Sequence, residues 1–248
     1  KVKIMIEGKE GTLSEETMNL LPPEEMPVEE TKEEEDSISF LKEPIVEVIA
    51  FSGSDEEIAA AAWTSSTIDI TDERRERIPT MLDDLWRMGH TSPFEHSSLR
   101  FRIVVDSATH IQLLRHRVGV SFNVESGRYR QYRNYRCWLP PDWPDDIAEL
   151  LVVHARHSFA IYESTLKELE KRGIPRKRAK ESARYALPMS LMVEMVVSFN
   201  LRSFFHFLRL RDASDAQAEI HTIAAKMREL VEEDGRFKYA LMAFKDNL

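Results

Sequence analysis

From residue 115 to residue 129 the chain reads Arg-His-Arg-Val-Gly-Val-Ser-Phe-Asn-Val-Glu-Ser-Gly-Arg-Tyr, its richest run of groups able to hold an anion. Between Arg115 and Arg136 six arginines stand against one acid, Glu125. A guanidinium offers a planar fork of donors that matches phosphate or carboxylate oxygens in pairs. Neighbouring helix positions are about 100° apart, so Arg115, His116 and Arg117 at a helix end would surround a bulky anion rather than share a face. A plainer account is that cations favour a helix C-terminus by about 0.3–1 kcal/mol. That explains one or two of these residues and leaves the second cluster, Ser126-Gly127-Arg128-Tyr129, unexplained. A ligand site for an anion is the stronger reading.

Other chemistries have weaker support. The histidines at 90, 96, 110 and 116 lack metal-ligand spacing, and the single cysteine, Cys137, excludes a multi-cysteine centre, so no metal is expected. The eight glycines form neither G-x-G-x-x-G nor a Walker loop, which excludes the usual nucleotide cradles. Tyr129, Tyr132 and Tyr135 recur among arginines. They suit either sheet packing or an RNA-stacking platform over Arg128–Arg136. Cys137 could be the nucleophile of a thiol-dependent methyltransferase, or a small apolar residue near a turn.

The 248 residues carry a net charge of -9, but residues 1–36 alone hold twelve acids against four lysines. The rest is nearly neutral, unlike the broad basic face of most RNA-binding modules. No apolar run is long enough to span a bilayer, and KVKIMIEGKEG lacks the apolar core and cleavage site of a signal peptide. A cytoplasmic protein without nucleic-acid or membrane partners is expected.

The elements that must position these groups follow from periodicity. Residues 1–42, with a short strand at KVKIMIEG and then Glu- and Pro-rich sequence, are expected to form an acidic, partly mobile extension. Residues 43–248 are expected to form a single domain. PIVEVIAF reads as a buried strand, Asp55 as the cap of the helix through DEEIAAAAWTSS, and Asp72 to about Met88 as a helix stopped by Gly89. His96–Ser107 alternates as a half-buried strand, Ser107 caps a helix ending at Arg-His-Arg, and a polar loop runs to Gly127. Helices are expected at about 144–172, 175–186, 201–211 and 215–233, with a strand at MSLMVEMVVSFN between the second and third. The fold class is α+β, an antiparallel sheet packed with several helices.

R-H-R followed by S-x-N-x-x-S-x-R-Y resembles the signature of the flavin-dependent thymidylate synthases. Two further blocks resemble that family in the right order: Gly89-His90-Thr91-Ser92-Pro93-Phe94-Glu95-His96, and the C-terminal set Ala183-Arg184, Leu187-Pro188, Asn200-Leu201-Arg202-Ser203 and Leu210-Arg211 with Ala216-Gln217-x-Glu219. The spacer between Arg117 and Ser126 is eight residues where seven is commonest. This places Val124, with Glu125 beside it, where an acid or amide often sits. His206 occupies a place where Asn is another known choice. The resemblance implies reductive methylation of dUMP to dTMP, with methylenetetrahydrofolate as carbon donor and FAD reduced by NADPH. It also implies a homotetramer with each site at a subunit interface. It assigns Ser65, His90, Ser92, Arg115, His116, Arg117, Glu125, Asn200, Arg202 and His206 to the flavin. Gln112, Arg115, Ser126, Gly127, Arg128, Arg184 and Arg211 are assigned to dUMP, with Arg211 as the catalytic cation beside the uracil N3–H.

Overall fold

The structure is a computed structural model describing residues 3–6, 9–12, 38–66, 68–127 and 135–247. Its elements in chain order are β1 Lys3–Ile6, β2 Lys9–Thr12, β3 Ile38–Leu41, β4 Ile45–Ser52, α1 Asp55–Ala62 and α2 Asp72–Arg87. A 3₁₀ turn at Ser92–His96 leads to β5 Ser98–Asp106, α3 Ser107–Leu113, β6 Val120–Val124 and β7 Tyr135–Trp138. Then come α4 Asp145–Lys171, α5 Arg176–Ala183, a 3₁₀ turn at Arg184–Ala186, β8 Met192–Asn200, α6 Leu201–Arg211, α7 Ala218–Asp234 and α8 Lys238–Asp246. They fall into two compact units, residues 1–42 with 126–192 and residues 43–125 with 193–248. One unit boundary falls at 42/43, and the others at 125/126 and 192/193.

In the unit of 43–125 and 193–248, four strands form a sheet in the order β4-β5-β8-β6, with β4 antiparallel to β5 and β6 antiparallel to β8. β5 alternates as the sequence requires: Leu99, Phe101, Ile103 and Val105 are buried in the core. On the opposite face Arg102 bridges two strands, donating to Glu47 at 2.8 Å and Glu194 at 2.7 Å. One side of the sheet is thus held by apolar burial and the other by an ion-paired clamp. β6 is an addition to the expected polar loop. Its Val-Ser-Phe-Asn-Val alternation is too short to stand out until β8 supplies its hydrogen bonds.

The helix boundaries show where local signals compete. Ser54, not Asp55, caps α1, accepting from Glu57 N–H at 3.2 Å. Asp106, not Ser107, caps α3, accepting from Thr109 N–H at 2.9 Å. In each case the residue one position earlier holds the extended backbone a cap needs. α3 also ends at Leu113, so Arg115, His116 and Arg117 lie in the turn beyond the helix.

Asp55 is then free for another helix. Its carboxylate accepts from the backbone N–H groups of Tyr239 at 2.8 Å and Ala240 at 2.9 Å, capping α8, which has no side-chain cap of its own. The sequence reading missed α8. Its inward residues Ala240, Leu241, Ala243 and Phe244 complete the core, with Phe244 stacked on Phe205 at 4.7 Å between ring centroids.

The other unit departs from the all-antiparallel expectation. β1 and β2 pair antiparallel, but β3 pairs parallel with β7, as Ile38 lies opposite Tyr135 and Leu41 opposite Trp138. A parallel pair needs a long connection, and here residues 42–134 supply it. β3 belongs to the segment expected to be an extension. The rest of that segment, apart from β1 and β2, lies outside the described residues. α4 and α5 pack a small core of Tyr135, Cys137, Phe159, Tyr162 and Leu166. Among the described residues no helix is long and apolar enough to cross a membrane.

The shared cap yields a stability prediction. Asp55→Ala leaves two helix N–H groups without their acceptor, one of them buried. It should cost about 1–3 kcal/mol and lower the midpoint of thermal unfolding. Unchanged stability by urea titration would show that water replaces the carboxylate.

Candidate functional site

β8 passes directly into α6 at Asn200, whose side chain accepts from Ser203 N–H at 2.8 Å. This cap sets the rotation of α6. The apolar spacing then sends Leu201, Phe204, Phe205, Phe207 and Leu208 into the core, while Arg202, His206 and Arg209 stay exposed. Gly119 lies against the same junction. Its carbonyl accepts from Asn200 N–H at 2.9 Å, its φ is +65°, and a Cβ there would collide with Ser203 Oγ and Asn200 Nδ2. Glycine is required here by space as well as by backbone conformation.

The exposed face of α6 opens on a cleft of about 810 Å³. The turn after α2 contributes Gly89, Thr91 and Glu95, and the loop before β6 contributes Val118 and Gly119. Asn200, Arg202, Ser203, His206 and Arg209 line the cleft from α6. Trp86, Phe205 and Phe244 add aromatic surface, each in contact with another. Arg202 Nη1 donates to Glu95 across the cleft at 2.5 Å, and Arg209 Nη2 to His206 Nδ1 at 3.2 Å. Cationic and amide donors with an aromatic floor suit a ligand that joins an anionic group to planar rings.

A second cluster lies at the C-terminal end of α6. Arg211 Nε donates to His116 Nε2 at 3.1 Å, and the His116 ring meets Phe207 edge-on at 5.0 Å. Burial first, then the Arg211 and His206 charges, pushes the His116 imidazole down to about 4, so the ring is neutral near pH 7. Arg115 and Arg117, on either side, are exposed. Gln112 is hydrogen-bonded to Gln217, which in turn donates to Glu219 at 2.7 Å.

The structure therefore brings Asn200, Arg202 and His206 together in one cleft, and His116 with Arg211 at the end of the same helix. His90 and Ser92 are exposed beside lining residues without lining the cleft themselves. Ser65 is exposed in the turn after α1 and does not line it either. Glu125 is engaged by its own sheet, accepting from Glu194 N–H at 3.0 Å. Ser126, Gly127 and Arg184 belong to the other unit, with Arg184 exposed in its 3₁₀ turn. Arg128 lies outside the described residues, as do Tyr129 and Tyr132. Tyr135 is packing: it is buried, stacks on Phe159 at 3.8 Å, and donates from its hydroxyl to Glu163 at 3.0 Å. Cys137 is fully buried, and burial pushes its thiol up to about 11. Trp86 and Phe244 were missed as site residues. Trp86 sits in a recognisable amphipathic helix, but nothing local marks α8 as a wall of the cleft.

The thymidylate synthase complementing protein family matches residues 47–234. A flavin-dependent thymidylate synthase of Thermotoga neapolitana is 31% identical over 206 residues, 82% of this chain and 92% of that protein. One from Tropheryma whipplei is 32% identical over 213 residues, 77% of this chain and 85% of that protein. Among solved structures, the UMP/dUMP methylase PolB of Streptomyces cacaoi, bound with 5-Br UMP, matches with a TM-score of 0.69 at 27% identity. The match covers 85% of this chain and 97% of that one.

The neutral ring makes stability depend on pH with a fixed sign. His116 titrates near 4 in the folded chain and near the ordinary histidine value, about 6.5, in the unfolded one. Between these values the unfolded chain binds more protons, so acid favours unfolding. Stability should fall as pH drops from about 6.5 towards 4, and His116→Gln should reduce that slope. Urea unfolding at stepped pH measures it. Equal slopes in both proteins would mean that the ring is charged when folded.

Proposed function

This chain belongs to the flavin-dependent thymidylate synthase family, and from that membership we propose that it methylates C5 of dUMP to give dTMP. Methylenetetrahydrofolate is the carbon donor, FAD the bound redox group, and NADPH the reductant that restores it. The observation that carries the reading is the polar face of α6, where Asn200, Arg202 and His206 open on one cleft and Arg211 stands at the helix end.

The donor set fits a flavin dinucleotide. Arg202, held by Glu95 through Nη1, keeps its remaining donors for pyrophosphate oxygens, Asn200, Ser203 and His206 suit ring or ribose oxygens, and Trp86, Phe205 and Phe244 give planar groups an apolar surface. Gly119 lets its loop pack against Asn200 and Ser203, where a Cβ would collide with both side chains. His90, Ser92, Arg115, His116 and Arg117 extend this set by resemblance, and Ser65 more distantly. Glu125 we leave with its strand, since its carboxylate already serves β8. When bound, the reduced flavin supplies the hydride that converts the transferred one-carbon unit to a methyl group.

Gln112, Ser126, Gly127, Arg128 and Arg184 are assigned to dUMP, whose phosphate suits the arginine forks. Arg211 takes the catalytic role. A cation beside N3 lowers its pKa, so the N3 proton passes to solvent water, and the charge left on the ring makes C5 nucleophilic without a thiol. Cys137 supports this division of labour, because a buried thiol with a raised pKa is a poor nucleophile. The enzyme is proposed to act in the cytoplasm as a homotetramer with each site shared between subunits, with no nucleic-acid or membrane partner.

Two experiments test the reading. In tritium release from C5-labelled dUMP on flavin-replete protein, Cys137→Ala should be nearly silent. Ser126→Ala should lose one hydrogen bond, about 0.5–1.5 kcal/mol. Arg211→Ala should lose roughly 100- to 1000-fold in rate while staying yellow. A dead Cys137→Ala with an active Arg211→Ala would establish the thiol mechanism instead. For the shared site, Arg128→Ala and Arg211→Ala chains, each inactive alone, should recover part of the activity when assembled together. No recovery in verified mixed tetramers would place both residues in one subunit's site.

A further inference from the structure

Among the described residues, the paired arginines of the unit of 43–125 and 193–248 have two kinds of partner, a carboxylate or, for Arg209 and Arg211, an imidazole. Arg75, Arg87, Arg102, Arg202, Arg228 and Arg236 each pair with a carboxylate. Such a pair fixes the guanidinium but cancels most of its field beyond the immediate contact. Arg211 is fixed as well, yet its partner is an imidazole nitrogen, His116 Nε2, at 3.1 Å from its Nε. That nitrogen can accept only if it carries no proton, so the ring is neutral with its hydrogen on Nδ1.

The surroundings hold the imidazole in this role. The turn that carries His116 is tied to α3 by its own N–H, which donates to Leu113 O at 3.1 Å, and by Arg115 N–H, which donates to Gln112 O at 3.2 Å. The ring plane is set by Phe207, which is fully buried and meets it at 82°. The titratable groups that face the ring, Arg211 and His206, both oppose its protonation. The adjoining Asp212 carboxylate, one residue from Arg211, is occupied elsewhere, accepting from Arg228 Nε at 2.6 Å. Among the described residues Arg211 therefore keeps its charge unpaired by a carboxylate, and only its Nε–H is spent.

We propose that His116 is a positioning residue, a neutral acceptor that orients Arg211 through its Nε–H while leaving the four Nη–H donors and the full positive charge for the pyrimidine nucleotide. The assignment rests on the reading of Arg211 as the cation beside the uracil ring. It differs from the resemblance, which makes His116 a flavin residue. With Nε2 engaged as an acceptor, only Nδ1–H remains to donate to a flavin.

Three variants of the full-length, flavin-loaded enzyme separate position from charge. Glutamine places a neutral acceptor near Nε2, glutamate a charged one, and leucine none. The measurements are kcat and KM for dUMP by tritium release from C5, flavin content by absorbance, and thermal unfolding. His116→Gln should retain at least tenfold more kcat than the leucine variant. His116→Leu should lose about 10- to 100-fold in kcat with flavin content unchanged, as expected for a misplaced catalytic group. His116→Glu should fall below His116→Gln by at least tenfold although it holds Arg211 more tightly, because it cancels the charge. Equal activity of the Gln and Glu variants, a Gln variant as impaired as Leu, or loss of flavin from all three would overturn the proposal. If the leucine variant fails to fold, the Gln-against-Glu comparison decides alone. Arg211→Ala in the same assay keeps the two readings apart. Its activity, if retained, defeats the role given to Arg211, whereas an inactive Arg211→Ala with equal Gln and Glu variants defeats only the role given to His116.

Discussion

One hydrogen bond, from Ser203 N–H to the Asn200 side chain, fixes where a core strand becomes the helix that carries the exposed cations. The helical period does the rest. With the start of α6 set, the phenylalanines must face the core, and Arg202, His206 and Arg209 must face outward. A start displaced by one residue would rotate every group by about 100° and bury cations against Phe94 and Phe199. The need for a side-chain cap with no bulk opposite explains why Asn200 and Gly119, far apart in the chain, meet at this point.

The same helix shows how stability and charge are kept apart. Its buried face joins an aromatic cluster in which Phe205 contacts Trp86, Phe94 and Phe244. Rigid rings of this size give a cleft wall that does not depend on the polar groups above it. The outward face then carries charges at no cost to the core. Arg202 is paired with Glu95 across the cleft, and Arg211 rests against an uncharged ring. Two arginines on one helix thus present different fields to whatever lies beside them.

Much of this was legible in the residues. Alternation placed β5 and β8, cap and breaker residues such as Asp72 and Gly89 placed helices such as α2, and the ordered blocks around Gly89–His96 and Asn200–Ser203 carried the family resemblance. What escaped notice depended on distant partners. β6 is five residues that become a strand only beside β8. α8 is capped by Asp55, a carboxylate that in sequence looks like the cap of its own helix. The parallel pairing of β3 with β7 joins segments with no local signal for each other. His116 reads as a cation in a cationic run, whereas burial and the neighbouring Arg211 charge hold its ring neutral. Local propensity found the pieces, whereas contacts between distant residues decided their roles.

The strand order β4-β5-β8-β6 also dictates a schedule. As the chain leaves the ribosome, β4 and β5 can form their antiparallel pair at once, but β6 emerges before the strand it must join. Residues 126–192, most of the other unit, are made before β8 arrives to fill the gap between β5 and β6. Until then the sheet has an open edge and β6 has no ladder, the condition in which nascent chains pair wrongly with one another. Contacts this distant in sequence slow folding. The strand that completes the sheet is the one that continues directly into α6, so the cation-bearing helix can dock only once the sheet closes, with α7 and α8 still to follow.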